Sequence, residues 1–309
     1  MTFCACKIVI LPKSSESIME KKIIASSELI INPDGSVFHL HLLPEQLTDR
    51  IILVGDPARV NLVAEFFDTR TFEVQSREFH TIGGTYQGKP IMCLSHGIGP
   101  DNIDIVINEL DALANIDFAT REVRPDHRTL HMVRIGTSGA LQPELKLGTP
   151  VIAEKSIGFD GVLNYYAGRN DVSDLEFEHD FCSHVDWNPL WAKPYVVDSD
   201  EHLVNLIGRD DMVRGVTISA VGFYGPQGRE LRLPLANPDL NHRIEEFRHK
   251  GRKVTNYEME SAPLQGLARL MGHKAMTVCS IIANRMRHDA TPNYKTAVRD
   301  LIGTVLDRI

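Results

Sequence analysis

The chain has 309 residues, a length that suits one large α/β domain or two ordinary ones. With 43% hydrophobic and 24% charged residues it has the make-up of a globular protein rather than a disordered one. A formal charge of −8 argues against general nucleic-acid affinity, which needs a basic surface, and no stretch approaches the ~20 apolar residues of a membrane span.

At the start of the chain, Ile8-Val9-Ile10-Leu11 is a short apolar run without the h-region and small-residue cleavage site of a signal peptide. Met19-Glu20-Lys21-Lys22 offers an alternative start. Residues 1–36 are therefore read as an N-terminal extension, partly disordered or lying upstream of the true start, and 37–309 as one domain. The five cysteines, Cys4, Cys6, Cys93, Cys182 and Cys279, are odd in number and scattered, which suits a reducing, cytoplasmic setting. Cys93 and Cys279 lie in apolar runs and read as buried thiols. Nothing near Cys4-Ala5-Cys6 completes a metal site, and no histidine set has metal-ligand spacing.

Short apolar runs alternate with helical patterns, the signature of an α/β sheet. Ile51 to Val54 is a first strand, stopped by Gly55-Asp56-Pro57. Ala58 to Phe67 follows as a helix, with Val60, Val63 and Phe66 on one face and Asp56 as N-cap. Thr81 to Tyr86 and Pro90 to Leu94 form an antiparallel pair. After the glycine turn Ser95-His96-Gly97-Ile98-Gly99-Pro100 comes a helix from Ile103 to Leu113. Thr129 to Ile135 is a strand ending in the turn Gly136-Thr137-Ser138-Gly139, and Pro150 to Ala153 is another. Residues 168–195, acidic and aromatic without periodicity, read as a long surface excursion. Val216 to Val221 is a strand. Asn256 to Glu260 introduces a helix through about Met271, Ala275 to Ile282 is the last strand, and Asn293 to Leu306 the closing helix.

Four clusters carry chemistry, all at strand ends, where open α/β sheets place ligands. Gly55 with Arg59, and Arg134 with Gly136-Thr137, combine backbone N–H groups with guanidinium forks suited to an oxyanion. For Arg134, set in the apolar run Met132-Val133-Arg134-Ile135, an internal salt bridge is an equal reading. Neither turn is a Walker loop, and Gly97-Ile98-Gly99 lacks the third glycine of a dinucleotide site. Tyr257-Glu258-Met259-Glu260 places two carboxylates at i and i+2 around a methionine. These could accept from vicinal sugar hydroxyls or simply favour a helix N-terminus. Gly222-Phe223-Tyr224-Gly225-Pro226-Gln227-Gly228-Arg229 offers a ring, a carboxamide and a guanidinium, the groups to read a nucleobase edge. On its own it reads more readily as a polar turn after a buried strand.

Taken together and in this order, these motifs resemble the nucleoside phosphorylase family of the uridine phosphorylase type, from about Val37 to the C-terminus. The resemblance implies a three-layer α/β/α domain around a twisted mixed sheet. It implies reversible phosphorolysis of uridine to uracil and ribose 1-phosphate in pyrimidine salvage, without a cofactor and with phosphate as co-substrate. By the same resemblance, Val37-Phe38-His39-Leu40 is an N-terminal strand, and Gly55, Arg59, Arg134 and Thr137 bind phosphate with Arg77 of a neighbouring subunit. Glu258, Met259 and Glu260 hold the ribose, with a neighbour's His39 at the 5′-hydroxyl. Ser138, Gly139, Phe223, Gln227, Arg229 and Ile282 surround the base. Arg229, Gln227 and Arg134 carry catalysis.

Purine-directed relatives usually place an aspartate after the last strand, whereas this chain reads Ile281-Ile282-Ala283-Asn284-Arg285. The implied assembly is a homodimer with shared active sites, or a hexamer of such dimers. Hexameric members bind an interfacial potassium ion, for which Glu78, Ile98 and Asn102 match in position, with asparagine where a serine is more usual. The stretch Leu113 to His131 and residues 168–195 look enlarged. The alternatives are broader or purine specificity, a hydrolytic nucleosidase, or a silent nucleoside-binding protein.

Overall fold

A computed structural model describes residues 23–291 and 293–309. The expectations for Cys4, Cys6 and the chain start lie outside the described residues. The chain opens with β1 (Arg50–Val54), α1 (Pro57–Ala64), β2 (Thr69–Ser76), β3 (Phe79–Tyr86), β4 (Lys89–Ser95) and α2 (Pro100–Asn115). β3 and β4 pair across Gln87-Gly88, both left-handed with φ of 49° and 70°, the geometry that matches strand twist in a two-residue hairpin. The hairpin β5 (Ile116–Asp117) and β6 (Glu122–Val123) stands apart from the main sheet. Next come β7 (His131–Ala140), β8 (Pro150–Gly158), α3 (Leu175–Val185), β9 (Tyr195–Asp198), α4 (Glu201–Ile207) and β10 (Val213–Ser219). The last third holds α5 (Leu240–Glu246), β11 (Arg248–His249), β12 (Arg252–Glu258), α6 (Ser261–Leu270), β13 (Lys274–Asn284), β14 (Asp289–Ala290) and α7 (Lys295–Leu306).

The main sheet runs β11-β12-β10-β8-β13-β7-β1-β4-β3-β2. β4, β1, β7 and β13 are mutually parallel, while β2–β3–β4 and β8–β13 are antiparallel, so the sheet is mixed. Strand pleating sends Ile51 and Leu53 to one face and Ile52 and Val54 to the other, and both faces are buried. On the first, α2 and α6 contribute Val106, Leu110, Leu264 and Leu267. On the second, α1, α4 and α7 contribute Val60, Val63, Leu203 and Ile302. This is the three-layer α/β/α domain expected. Among the described residues, no helix is long and apolar enough to cross a membrane.

Several expectations are corrected. β7 does not stop at Ile135. It continues through Gly136-Thr137-Ser138-Gly139, because β13 pairs with it on one side and β12 adds pairs at Gly139 and Ala140. Asn256 to Glu258 are strand, and the helix begins only at Ser261, while α1 ends at Ala64 rather than Phe67. Val37 makes only an isolated bridge to Ile31, and residues 38–40 form a turn, since the Glu109 carboxylate takes the His39 and Leu40 N–H groups that a strand would offer a neighbour. Residues 168–195 contain α3, whose Phe177, Phe181 and Val185 recur every four residues and pack on Phe247 and Ile244. Residues 23–36, placed in the extension, are docked: Arg121 donates to Ile24 O at 2.7 Å and Ala25 O at 3.0 Å.

Candidate active site

The strand ends meet at a cavity of about 950 Å³. β1 delivers Gly55 and, through α1, Arg59. β7 delivers Arg134 to Gly139, β12 delivers Glu258 to Glu260, and β13 delivers Ile282. The loop after β10 adds Phe223, Gln227 and Arg229. All the expected phosphate, ribose and base residues line this one space except His39 and Arg77.

Arg134 is the hub. Its side chain is buried, and its Nη1 lies 2.8 Å from Glu258 Oε2 while Nη2 pairs with Glu260 Oε2. Nε donates to His96 Nε2 at 3.1 Å, and Nη1 also reaches Cys279 Sγ at 3.6 Å. Burial works against its charge, but Glu260 and then Glu258 hold its pKa above the usual arginine range. The internal salt bridge weighed against the anion-binding reading is therefore present. It occupies both terminal nitrogens and leaves one of the five N–H groups uncommitted. Gly136 permits the arrangement, because a Cβ there would lie 2.8 Å from Nη1.

The two glutamates differ. Glu258 is committed internally: Oε1 accepts from Ser219 Oγ at 2.6 Å and Ser261 Oγ at 2.7 Å, and Oε2 from Glu260 N at 2.9 Å and Arg134. A carboxylate so used has no room for sugar hydroxyls, which corrects its expected ribose role; it fixes Arg134 and the start of α6. Among the described residues, Glu260 accepts from Gly99 N at 2.8 Å and from Arg134, which leaves it capacity toward the cavity. Burial raises its carboxyl above the ordinary value, against the pull of Arg134. Met259 lies between them, half-buried in the cavity wall.

Arg59 forms no ion pair among the described residues and donates to Ile135 O at 3.3 Å. It is a cation facing the cavity, with its pKa lowered by burial. At the start of α1, Asp56 accepts from Ala58 N at 2.9 Å, so this helix end is already capped by an anion. Anion binding here would rest on the side chains. Ser138 borders the same space, and its Oγ is buried without a hydrogen-bond partner among the described residues.

The loop after β10 is tightly braced. Arg229 Nη1 donates to Gln227 Oε1 at 2.5 Å and Phe223 O at 2.6 Å, and its guanidinium lies 3.8 Å from the Phe223 ring centre. Arg285 Nη2 donates to Gly228 O at 3.1 Å, Arg285 Nη1 donates to Gln227 O, and Asn241 Nδ2 donates to Gln227 O at 3.1 Å. Burial, with Arg285 nearby, lowers the Arg229 pKa to about 10. Gly139 approaches closely enough that a Cβ would sit 3.9 Å from Arg229 Nη2. Sequence reasoning assigned no role to Arg285, whose distance from Gln227 in the chain hid its bracing contacts. Asn284 is turned away: its Nδ2 donates to Gln142 O and Leu145 O, and its Oδ1 accepts from Met286 N and Arg287 N.

His39 and Arg77 lie elsewhere. His39 Nδ1 bonds Glu109, and Arg77 is exposed at the β2–β3 turn with φ 55° and no partner among the described residues. Both placements suit groups offered to another copy. Glu78 and Asn102 converge on Gly97, where a Cβ would lie 2.9 Å from Glu78 Cγ and 2.5 Å from Asn102 Nδ2. Asn102 Nδ2 donates to Ile98 O at 3.4 Å, so the amide N–H faces the carbonyl that a cation would need.

The sequence profile of the phosphorylase superfamily matches residues 49–306. The chain belongs to that superfamily. Among curated superfamily members, the uridine phosphorylase of Thermococcus kodakarensis is 28% identical over 274 residues, covering 85% of this chain and 83% of that protein. The uridine phosphorylase of Escherichia coli is 29% identical over 267 residues, covering 85% and 91%. A solved Trypanosoma brucei nucleoside phosphorylase, described as showing uridine phosphorylase activity, superposes with a TM-score of 0.82 at 25% identity over 91% of this chain and 98% of that one. A purine nucleoside phosphorylase from Toxoplasma gondii, at 20% identity and TM-score 0.60 over 87% of this chain and 92% of that one, shares the fold alone. The superfamily fold thus serves purine and pyrimidine chemistry alike, and the choice rests on the site.

Proposed function

We propose that this superfamily member is a uridine phosphorylase, a pentosyltransferase that converts uridine and phosphate reversibly to uracil and ribose 1-phosphate. It acts in pyrimidine salvage in the cytoplasm as a homodimer with shared sites, or a hexamer of dimers. The observation that carries the reading is one cavity lined by Arg59 and Arg134, by Glu260 and Met259, and by the Gln227–Arg229 pair.

Arg59, Arg134 and Thr137, with Arg77 of a neighbouring subunit, hold phosphate against C1′, so much of the rate comes from positioning. Glu260 accepts from the ribose hydroxyls and Met259 packs on the apolar face, with the neighbour's His39 at the 5′ end. Ser138, Gly139 and Ile282 border the base. As the C1′–N1 bond breaks, its electron pair leaves with the uracil, and a phosphate oxygen forms the new bond to C1′. The negative charge on the base is met by Arg229 and Gln227, whose bonds strengthen as it grows. A proton from solvent then completes uracil. No cofactor is needed.

Asn284 favours the pyrimidine over a purine: it is an amide rather than an acid, and all its hydrogen-bonding capacity is used internally. Hydrolysis by water is the weaker alternative, because it leaves Arg59 without a task. One phosphate-dependent assay across uridine, deoxyuridine, thymidine and inosine tests the reading. Turnover of uridine only when phosphate is present supports it; turnover undiminished by removing phosphate, or inosine as the preferred substrate, overturns it.

A further inference from the structure

We propose that His96 is a positioning residue for Arg134: a neutral acceptor that fixes the Nε edge of the phosphate-binding guanidinium. The inference rests on the phosphorylase reading above, in that it takes phosphate as the anion held at Arg134.

The ring is wholly buried directly after β4, its backbone N–H donating to Val54 O at 2.8 Å. It lies beside the first phosphate loop, since a Cβ on Gly55 would sit 3.7 Å from its Cε1. Nε2 accepts from Arg134 Nε at 3.1 Å, so the single proton of the neutral ring must sit on Nδ1. The opposite tautomer would set two donors head to head.

Arg134 is then held on three edges, by His96 at Nε, Glu258 at Nη1 and Glu260 at Nη2. Two of these partners are anionic, and together they offset the charges of Arg134 and Arg59. A third carboxylate at Nε would make the pocket repel a phosphate dianion, whereas an unbonded Nε would leave a buried donor without a partner and the fork free to tilt. A neutral imidazole avoids both outcomes at Arg134, at the cost of its own Nδ1, which is buried without a hydrogen-bond partner among the described residues. Burial, and then the charges of Arg134 and Arg59, keep the ring well below its ordinary pKa, so it stays an acceptor at neutral pH.

The test measures binding of inorganic phosphate alone by calorimetry, together with phosphate KM and kcat, for wild type, His96→Leu and His96→Gln. Leucine removes the acceptor at similar volume, and glutamine restores an oxygen near the Nε2 position. The leucine variant should bind phosphate about tenfold more weakly, the size expected for losing a hydrogen bond to a charged group, while kcat at saturating phosphate stays within about threefold. The glutamine variant should recover most of the affinity. Wild-type affinity in the leucine variant, or no recovery with glutamine, overturns the role of His96. Failure of the wild type itself to bind phosphate would instead overturn the phosphorylase reading.

Nitrogen-15 NMR of the histidine rings in the wild type decides the matter independently of how the variants fold. An unprotonated Nε2 with a protonated Nδ1 supports the proposal; an Nε2-protonated or doubly protonated ring at neutral pH contradicts it.

Discussion

Arg134 and Glu260 form a buried ion pair in the wall of the cavity. In the proposed reading the pair joins the phosphate site to the ribose site, so a change in one partner should be felt by both substrates. Removing one member of a buried pair strands the other charge, at a cost of about 3–5 kcal/mol. Glu260→Ala should lower unfolding free energy by an amount near the bottom of that range, about 3 kcal/mol, because Glu258 still faces Arg134. Chemical denaturation checks this; a loss under about 1 kcal/mol would mean that the pair is not held as described.

The two glutamates should separate in kinetics. Glu260→Gln is expected to raise uridine KM or lower kcat strongly, while Glu258→Gln acts mainly on stability, through its bonds to Ser219, Ser261 and Arg134. Steady-state rates set beside melting temperatures resolve the two. Equal kinetic defects with equal stability would show that Glu258 also meets the sugar.

Arg59 is a cleaner probe of phosphate than Arg134, since it has no ion pair among the described residues to break. Arg59→Ala should raise phosphate KM with a smaller effect on kcat, whereas Arg229→Ala should lower kcat by about 10²–10³ with phosphate affinity nearly unchanged. Small and similar effects from both would refute the assignment of one to phosphate and the other to the leaving base.

Asn284→Asp should not create a purine enzyme. The substitution points a carboxylate at Gln142 O and Leu145 O, so two buried carbonyls lose their donor. We expect a stability loss of about 2–4 kcal/mol and no gain in inosine turnover. A stable variant that phosphorolyses inosine would show that this position alone sets the base.

If Arg77 serves a neighbouring subunit, two inactive chains should complement. Co-expression of Arg77→Ala with Arg229→Ala places both defects in one site of a mixed dimer and leaves the other site intact. Activity should therefore return, well above either variant alone. No recovery in a preparation shown to contain mixed dimers would place Arg77 outside the site.

Much of this site was legible because its parts sit at strand ends marked by glycine: Gly55 before α1, Gly136 and Gly139 in β7, and the turn carrying Gln227 and Arg229. What the sequence concealed depends on distant partners. Glu258 reads as a ribose ligand until Ser219, on the neighbouring strand β10, is seen to occupy it. His96 was only part of a glycine turn until β7 placed Arg134 against it. The helix α3 went unread although Phe177, Phe181 and Val185 stand at helical spacing and Asp174 as N-cap marks its start by accepting from Phe177 N at 3.0 Å. The expected turn at Gly136 is strand because β13 pairs alongside, a tertiary effect that outweighs the local signal of the glycines.

The most direct measurement follows uracil release from uridine in phosphate-free buffer and with phosphate added, using the full chain, and identifies the sugar product. The account predicts no uracil without phosphate, and ribose 1-phosphate formed in equal amount to uracil with it. Uracil released at the same rate without phosphate, with free ribose as the product, would contradict it.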